Sequence, residues 1–215
     1  MSNTIVSLGV GSWYPQGIAR LRASCEKFNA PYKVFSHYPQ FVPTHKQLPY
    51  AFKLYMIQLA SHDTPIVLWL DSSCWLQHDP TPVFDHIKKQ GYLIFDGGHK
   101  NSQWCNDKQL EAFGFTRGEA QSQKHCIGGI VGLDLQSEVG KAIFDEWFLN
   151  VDLFKGHWNN DNLTESQDAR CLGSRHDQSV LSLIVAKNKL NATPTKGWLN
   201  FDVTDKDSII LAQGM

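Results

Sequence analysis

The stretch that decides the fold is Pro65-Ile66-Val67-Leu68-Trp69-Leu70-Asp71-Ser72-Ser73. Its apolar, partly β-branched half predicts a buried strand over residues 66–70, and an acid and two small hydroxyl residues follow at once. Open α/β sheets bind ligands at the carboxyl ends of such strands. A carboxylate there is costly unless it meets a cation or backbone donors. Asp71 is therefore the first candidate functional residue, with a cap of the following turn as the alternative.

Strand-like and helix-like segments alternate on both sides of this stretch. Strands are predicted at 4–8, 32–36, 66–70, 91–95 and 126–135, and the main helices at 17–28, 50–60, 81–89, 137–148 and 176–186. This alternation predicts one α/β domain over 1–215, with a Rossmann-like, mostly parallel sheet covered by helices on both faces. Pro49 suits the first turn of the second helix, and Asp96-Gly97-Gly98 is expected to be a loop.

Composition limits the partners of the chain. The 20 basic and 21 acidic residues among 215 give a net charge of −1, so no overall attraction to nucleic acid or anionic membrane is expected. No apolar run approaches the roughly 20 residues that span a bilayer, and Met1-Ser2-Asn3 leads into a strand without the features of a signal peptide. Five cysteines without paired spacing are typical of a reducing compartment. We therefore expect a soluble, cytoplasmic protein.

The first strand ends in a glycine turn, Gly9-Val10-Gly11. Tyr14 stands where a dinucleotide-binding fingerprint requires its third glycine, and the lysine-containing element of a P-loop is absent. The sequence thus argues against a Rossmann dehydrogenase and a P-loop enzyme. A turn that merely needs glycine and a pocket for a nucleotide base are both open interpretations.

Several motifs follow one another in the order found in a known superfamily. They are Pro49-Tyr50-Ala51-Phe52-Lys53, Val67 to Ser73, Gly128-Gly129-Ile130-Val131-Gly132-Leu133, His176-Asp177-Gln178-Ser179 and Lys196-Gly197-Trp198. Together they resemble the nucleotide-sugar glycosyltransferases of the GT-A fold, glycogenin-like members in particular. The resemblance runs from Ile5 to Trp198, and its weight comes from the order and spacing of the pieces.

The resemblance implies transfer of a sugar from a nucleoside diphosphate donor, a UDP-sugar by preference, to a hydroxyl acceptor. It assigns donor binding to Gly9, Val10, Gly11, Tyr14, Lys53, Asp71, Ser72, Ser73, Gly128, Gly129 and Lys196. It assigns Asp177 and Gln178 to the reacting sugar, as catalytic residues, although a helix N-cap is the structural alternative for Asp177. The two central glycines are expected to leave room for that sugar, and the glycogenin likeness favours retention of configuration.

The departures from the family pattern concern the metal. Family members usually hold a divalent cation with two acids two residues apart, and here Ser73 stands in the second place. No histidine follows His176, where a further ligand is usual. Asp71 is the metal ligand implied for Mn or Mg, unless fixed cations replace the metal, for which Lys53, Arg175 and Lys196 are available. The rival hypothesis is a catalytically reduced module that binds a nucleotide sugar or a partner without transfer.

The acceptor is the least constrained part of the prediction. Trp104, Trp158 and Trp198 are candidates for sugar stacking, and the polar segment 158–162 for an acceptor-side loop. A carbohydrate acceptor is expected. The compact chain also resembles phage and bacterial reading frames, which keeps a modified DNA base as an alternative.

Overall fold

Eight strands form two sheets in the computed structural model, which describes residues 2–213. Met1, Gly214 and Met215, which the one-domain prediction includes, lie outside the described residues. The strands are β1 (Asn3–Leu8), β2 (Tyr32–Phe35), β3 (Ile66–Leu70), β4 (Cys74–Leu76), β5 (Tyr92–Lys100), β6 (Lys124–Asp134), β7 (Leu199–Asn200) and β8 (Ile210–Ala212). The central sheet has the order β2-β1-β3-β6-β5, and β4-β8-β7 form a small second sheet.

Helices connect most of these strands. They are α1 (Tyr14–Lys27), α2 (Phe52–Ser61), α3 (Thr81–Gln90), α4 (Asn101–Trp104), α5 (Asp107–Ala112), α6 (Arg117–Ala120), α7 (Glu138–Leu149) and α8 (Asp177–Lys187), with short 3-10 turns at Val151–Phe154 and Asp161–Leu163. No helix in residues 2–213 combines the length and apolar character needed to cross a membrane.

The predicted mostly parallel sheet is confirmed, with one strand reversed. β1 pairs in parallel with β2 and β3, whereas β6 pairs antiparallel with both β3 and β5. The reversal arises because α4 to α6 lie between β5 and β6, so the chain turns above the sheet and returns. The pairing extends to His99 opposite His125 and Lys100 opposite Lys124, beyond the ends of the other strands. These two strands therefore build a wall over the carboxyl edge of the sheet.

Two local predictions were wrong. Asp96-Gly97-Gly98 is not a free loop but an irregular, bulged part of β5, and Gly98 takes a positive φ of 73° there. Pro49 is not in the first turn of α2. The helix begins at Phe52 because Tyr50 adopts a left-handed backbone conformation, with φ of 57°, which a helix cannot contain.

Helices cover both faces of the central sheet, as predicted. α2, α7 and α8 pack on one face and α1 and α3 on the other. Side chains of a strand alternate between the faces, so Val67 and Trp69 of β3 point towards the α2 side, whereas Ile66, Leu68 and Leu70 join the other core. Asp71 continues the Val67–Trp69 series. This period of two is what delivers its carboxylate to the side of α2 and α8.

Candidate functional site

Two cavities lie at the carboxyl edge of β1 and β3, and Asp71 and Ser73 line both of them. The first, the aromatic cavity, has a volume of about 390 Å³ and is lined by Leu8, Val10, Tyr14, Tyr38, His45, Tyr50, Phe52, Trp69, Asp71, Ser72 and Ser73. The second, the polar cavity, has about 490 Å³ and is lined by Asp71, Ser73, Cys74, Gly97, His99, Trp104, Ile127, Gly129, Ile130, Trp158, Arg175, Gln178, Phe201 and Ala212. A ligand that passes Asp71 can therefore occupy both cavities at once.

Asp71 is held at this junction by its own strand and by its neighbour. Its Oδ1 accepts a hydrogen bond of 2.6 Å from the indole Nε1 of Trp69, and its backbone N–H donates to the carbonyl of Gly129 at 2.8 Å. Its side chain is 36% exposed. Among residues 2–213, its Oδ2 accepts no hydrogen bond, so one carboxylate oxygen is open to a ligand.

The turn after Asp71 is fixed by α1. The N–H of Cys74 donates to the carbonyl of Asp71 at 2.8 Å, which closes the turn. Arg20 of α1 donates from Nη2 to the carbonyl of Ser73 at 3.0 Å, while its guanidinium lies 3.8 Å from the ring centroid of Trp75. Ser72 and Ser73 thus stand on a rigid turn rather than on a loose loop.

Lys53 links Asp71 to Asp177 beneath the cavities. Its Nζ donates to Oδ2 of Asp177 and to the carbonyl of Gly128, each at 2.6 Å, and lies 3.7 Å from Oδ1 of Asp71. The Lys53 and Asp177 side chains are only 2% and 5% exposed. Neither side chain lines either cavity. The structure thus brings together Lys53, Asp71 and Asp177, three of the site residues predicted from the sequence. Lys53 was expected to contact a diphosphate, but it contacts the two carboxylates instead.

The charges in this cluster perturb each other. Burial raises the pKa of Asp177 to about 6, against the Lys53 ammonium, which lowers it. Burial alone would lower the pKa of Lys53, but the carboxylates of Asp177 and Asp71 outweigh burial and raise it. Lys53 is therefore a permanent cation at neutral pH. One buried ammonium compensates two carboxylates, so the cluster keeps a net negative charge. Asp71, the carboxylate at the junction of the two cavities, is the exposed member of the cluster.

Strained backbone surrounds the cluster. Tyr50 and His176 both have positive φ, 57° and 55°, and their rings lie 5.4 Å apart, between centroids. Such conformations cost on the order of 1–3 kcal/mol in a non-glycine residue and are concentrated at functional sites. Nδ1 of His176 lies 2.8 Å from the carbonyl of Phe154 and its ring stacks on Trp158, so surrounding contacts hold it in place.

The two central glycines serve the protein's own side chains. A Cβ on Gly129 would lie 3.0 Å from Oδ2 of Asp71, and a Cβ on Gly128 would lie 2.7 Å from Cβ of Gln178. The expectation that both leave room for a sugar is therefore corrected. Gly129 lines the polar cavity and admits the Asp71 carboxylate, while Gly128 lets the first turn of α8 approach β6.

The amino-terminal turn contributes in part. Val10 and Tyr14 line the aromatic cavity, but Gly9 and Gly11 do not. A Cβ on Gly9 would lie 2.4 Å from Cγ1 of Ile18, so this glycine is needed where α1 packs on the turn. Gly11 has a φ of 109°, which favours glycine for conformational reasons.

The carboxyl-terminal predictions divide in the same way. Gln178, Trp104 and Trp158 line the polar cavity, whereas Lys196 and Trp198 line neither cavity. The Lys196 side chain is exposed, and the Trp198 ring packs against His86 of α3, 5.3 Å between centroids. The structure therefore does not place Lys196 in the lining of either cavity.

Sequence reasoning missed most of the aromatic cavity. Tyr38, His45, Tyr50 and Phe52 come from the proline-rich segment before α2 and from its first turn. Tyr38 and Tyr50 each pack within 6.2 Å of Phe52, between centroids. The clustering of rings around Pro39, Pro43 and Pro49 was the available signal, because long irregular segments in compact domains tend to be functional.

A metal ion can be held at the junction only with help from a ligand. Within residues 2–213 no group of three or more His, Cys, Asp or Glu side chains is arranged to hold one. Asp71 offers one open oxygen, and Asp177 is occupied by Lys53. Mg²⁺ is commonly bound by one or two carboxylates together with substrate phosphates and water. The residues therefore fit a cation that arrives with a diphosphate, and do not form a metal site by themselves.

Comparison with models of protein families and with curated proteins finds no match. Among solved structures, mouse xyloside xylosyltransferase 1 in its apo form is similar, with a TM-score of 0.53 and 10% identity over 98% of this chain and 97% of that one. The chain has a GT-A-like fold. A glycosyltransferase involved in the glycosylation of the major capsid of PBCV-1 has a TM-score of 0.49 and 12% identity, over 98% of this chain and 91% of that one. The similarity to the xylosyltransferase confirms the predicted fold.

Proposed function

We propose that this protein transfers a sugar from a nucleoside diphosphate donor, a UDP-sugar, to a hydroxyl acceptor. The observation that carries the proposal is the position of Asp71, whose open carboxylate oxygen lies where an aromatic and a polar cavity meet. The xylosyltransferase that shares the fold acts, by its name, on a xyloside, which agrees with a sugar substrate.

In this proposal the nucleoside occupies the aromatic cavity. Aromatic rings make up much of its lining, and rings of this kind stack with nucleobases for about 1–3 kcal/mol per base. The diphosphate then lies towards Asp71, Ser72 and Ser73. Mn²⁺ or Mg²⁺, bound by Asp71 together with the diphosphate, would stabilise the charge that develops on the leaving group.

The transferred sugar projects past Asp71 into the polar cavity, where Gln178 meets it. The bond between C1 of the sugar and the β-phosphate oxygen breaks, and its electron pair stays on the diphosphate. A bond forms between C1 and the acceptor oxygen, whose proton passes to the leaving phosphate or to solvent. The chain's own task is to orient C1 and to balance charge, for which preorganised groups are effective.

Lys53 and Asp177 support the site from below. The Lys53 ammonium compensates Asp71 and Asp177 together and fixes the first turn of α8, from which Gln178 projects. Asp177 then acts through Lys53 and α8, in a positioning role. The buried position of Asp177 gives no support to direct attack on C1, and retention rests on the glycogenin likeness alone.

A second candidate is a module that binds a nucleotide sugar without transferring it. The observation that favours it is the single accessible carboxylate at the junction, because a serine replaces the second acid of the usual pair. Such a module would be stabilised by the donor but would leave the donor intact.

One screen separates the two candidates. UDP-, GDP- and TDP-sugars are tested for thermal stabilisation and for release of the nucleoside diphosphate, with Mn²⁺ or with EDTA. The proposal predicts stabilisation and slow release with one donor, weakened by EDTA. Stabilisation without release by any donor would favour the binding module, and no response to any donor would contradict both.

A further inference from the structure

Arg175 is held in an unusual way in the polar cavity. Its guanidinium carbon lies 3.7 Å from the ring centroid of Trp104 and 3.6 Å from that of Trp158, so an indole covers each face. Cation–π contacts of this kind favour a guanidinium and restrict its rotation. With both faces covered, the N–H groups can donate only in the plane of the guanidinium, and this planar fork matches a carboxylate or a phosphate.

No group in the described part of the chain uses that fork. Within residues 2–213 the Arg175 side chain makes no hydrogen bond and no ion pair, although it lines the cavity. Arg117 shows the contrast, because its guanidinium donates to the carbonyls of Ser102 and Cys105 and pairs with Asp107. Arg117 is a structural arginine with its own partners. Arg175 is positioned by aromatic rings, and its guanidinium N–H groups have no hydrogen-bond acceptor among residues 2–213.

The rest of the cavity suits a sugar ring. Trp158 is 49% exposed and Phe201 61% exposed, and both line it, so flat apolar surface is offered to the C–H face of a ring. Gln178 and Asp71 supply polar groups for hydroxyls. Pockets that combine aromatic surface with a few convergent polar groups are typical of ligand sites.

We infer that the polar cavity binds an acceptor sugar that carries an oxyanion, a carboxylate or a phosphate ester, and that Arg175 recognises this group. That the bound sugar is the acceptor of the reaction rests on the proposed function. The preference for an anionic sugar is a property of the cavity itself. The acceptor hydroxyl then lies at the Asp71 and Gln178 end. In this arrangement the anion pairs with Arg175 and stays apart from the Asp71 carboxylate.

Binding without donor tests the cavity directly. The shifts of the Trp104 and Trp158 indole N–H resonances are followed by NMR during titration with glucuronate, glucose 6-phosphate and glucose. We expect at least one anionic sugar to bind about tenfold more tightly than glucose, since a charge-assisted bidentate pair is roughly twice as strong as a neutral hydrogen bond. The carboxylate and phosphate arms decide which oxyanion is preferred. Equal response to all three sugars, or no response, would overturn the inference.

Variants tie the preference to Arg175. In Arg175→Met the preference for the anionic sugar should disappear, whereas Arg175→Lys, which keeps the charge but loses the planar fork, should keep part of it. Arg170→Met is the matched control, because Arg170 is exposed and paired with Asp168, and it should behave as wild type. An undiminished preference in Arg175→Met would contradict the assignment.

Turnover separates this inference from the proposed function. With an active donor, the ratio of kcat/KM for methyl glucuronide or glucose 6-phosphate to that for methyl glucoside should fall in Arg175→Met. An equal loss for the anionic and neutral acceptors would mean that Arg175 serves the donor diphosphate, and the inference would fail. If no donor is turned over while the NMR preference stands, the proposed function fails and the anionic-sugar site stands.

Discussion

The aromatic and polar cavities share Asp71 and Ser73 but are built from different parts of the chain. The aromatic cavity takes its rings from the start of α1, from the proline-rich segment before α2 with the first turn of that helix, and from β3. Among the described residues, Asp71 is the one carboxylate in its lining. The polar cavity is enclosed by the β5–β6 wall, the start of α8 and the carboxyl-terminal tail, and contains Arg175. This difference suits an uncharged planar ligand on one side and a polar, charged ligand on the other, as proposed above. Asp71 connects them.

The largest effect is expected at the shared residue. Asp71→Asn keeps the size of the side chain but removes the charge, so transfer should fall by about 10³-fold, as for the loss of one preorganised electrostatic group. The fold should persist because Asp71 is partly exposed and the Lys53–Asp177 pair is intact. Donor turnover and thermal unfolding are measured together. Asp152→Asn, an exposed carboxylate far along the chain, is the control, and full activity in Asp71→Asn would remove Asp71 from the site.

Replacement of Lys53 should lower the stability of the fold that supports both cavities. Lys53→Met leaves the buried Asp177 carboxylate without a partner, which typically costs about 3–5 kcal/mol of unfolding free energy. The exposed pair Lys33–Asp63 gives the matched control, since Lys33→Met should cost less than about 1 kcal/mol. Both are measured by urea denaturation.

A double variant sharpens this test. Lys53→Met combined with Asp177→Asn removes the stranded charge and should recover part of the lost stability. For the same reason Asp177→Ala should destabilise the fold, because it strands the Lys53 ammonium. A small cost for Lys53→Met, comparable with that of Lys33→Met, would show that the buried pair is not formed.

Protonation of His125 in acid should destabilise the wall of the polar cavity. His125 of β6 lies opposite His99 in the wall of the polar cavity, and burial lowers the pKa of His125 to about 3. The unfolded histidine binds its proton nearer pH 6.5, so the His125 contribution to the free energy of unfolding falls as the pH decreases from about 6.5 towards 3, by about 2 kcal/mol at about pH 5. Asp177 contributes in the opposite direction, because its raised pKa of about 6 favours the protonated folded state as the pH falls.

The measurement is the slope of unfolding free energy against pH. His125→Asn should remove the His125 contribution from that slope, so that the variant loses less stability on acidification than the wild type, whereas the exposed His62→Gln should leave the slope unchanged. An unchanged slope in His125→Asn would mean that another group controls the acid sensitivity.

The smallest effect is expected in the aromatic cavity, where two neighbouring residues, Tyr14 and Trp13, can be compared. Tyr14→Ala removes a ring that lines the aromatic cavity, and the Kd of the nucleotide should rise about tenfold, within the range for one stacked base. Trp13, 68% exposed and absent from the lining, is the matched control, and Trp13→Ala should leave the Kd unchanged. Titration calorimetry with a nucleoside diphosphate measures both. Equal effects would mean that the aromatic cavity does not hold the base.

Local pattern predicted the fold better than the site. Residues 66–73 gave the buried strand, and its period of two explains why Asp71 meets Lys53 and Asp177 on the α2 face. The reversal of β6 was missed because pairing direction depends on where α4 to α6 lead the chain. The pairing of buried Lys53 with Asp177 joins residues 124 positions apart in the sequence. The stacking of Arg175 between Trp104 and Trp158 likewise depends on how the chain folds, because no local pattern brings these three side chains together.

In the proposed function a donor lies across Asp71, with its nucleoside in the aromatic cavity and its sugar directed to the polar one. A crystal structure of the complex with uridine diphosphate and Mn²⁺ tests this most directly. We expect the base among Tyr14, Tyr50 and Phe52, and the diphosphate beside the open oxygen of Asp71. A base bound against Arg175 in the polar cavity, or a diphosphate bound away from Asp71, would contradict it.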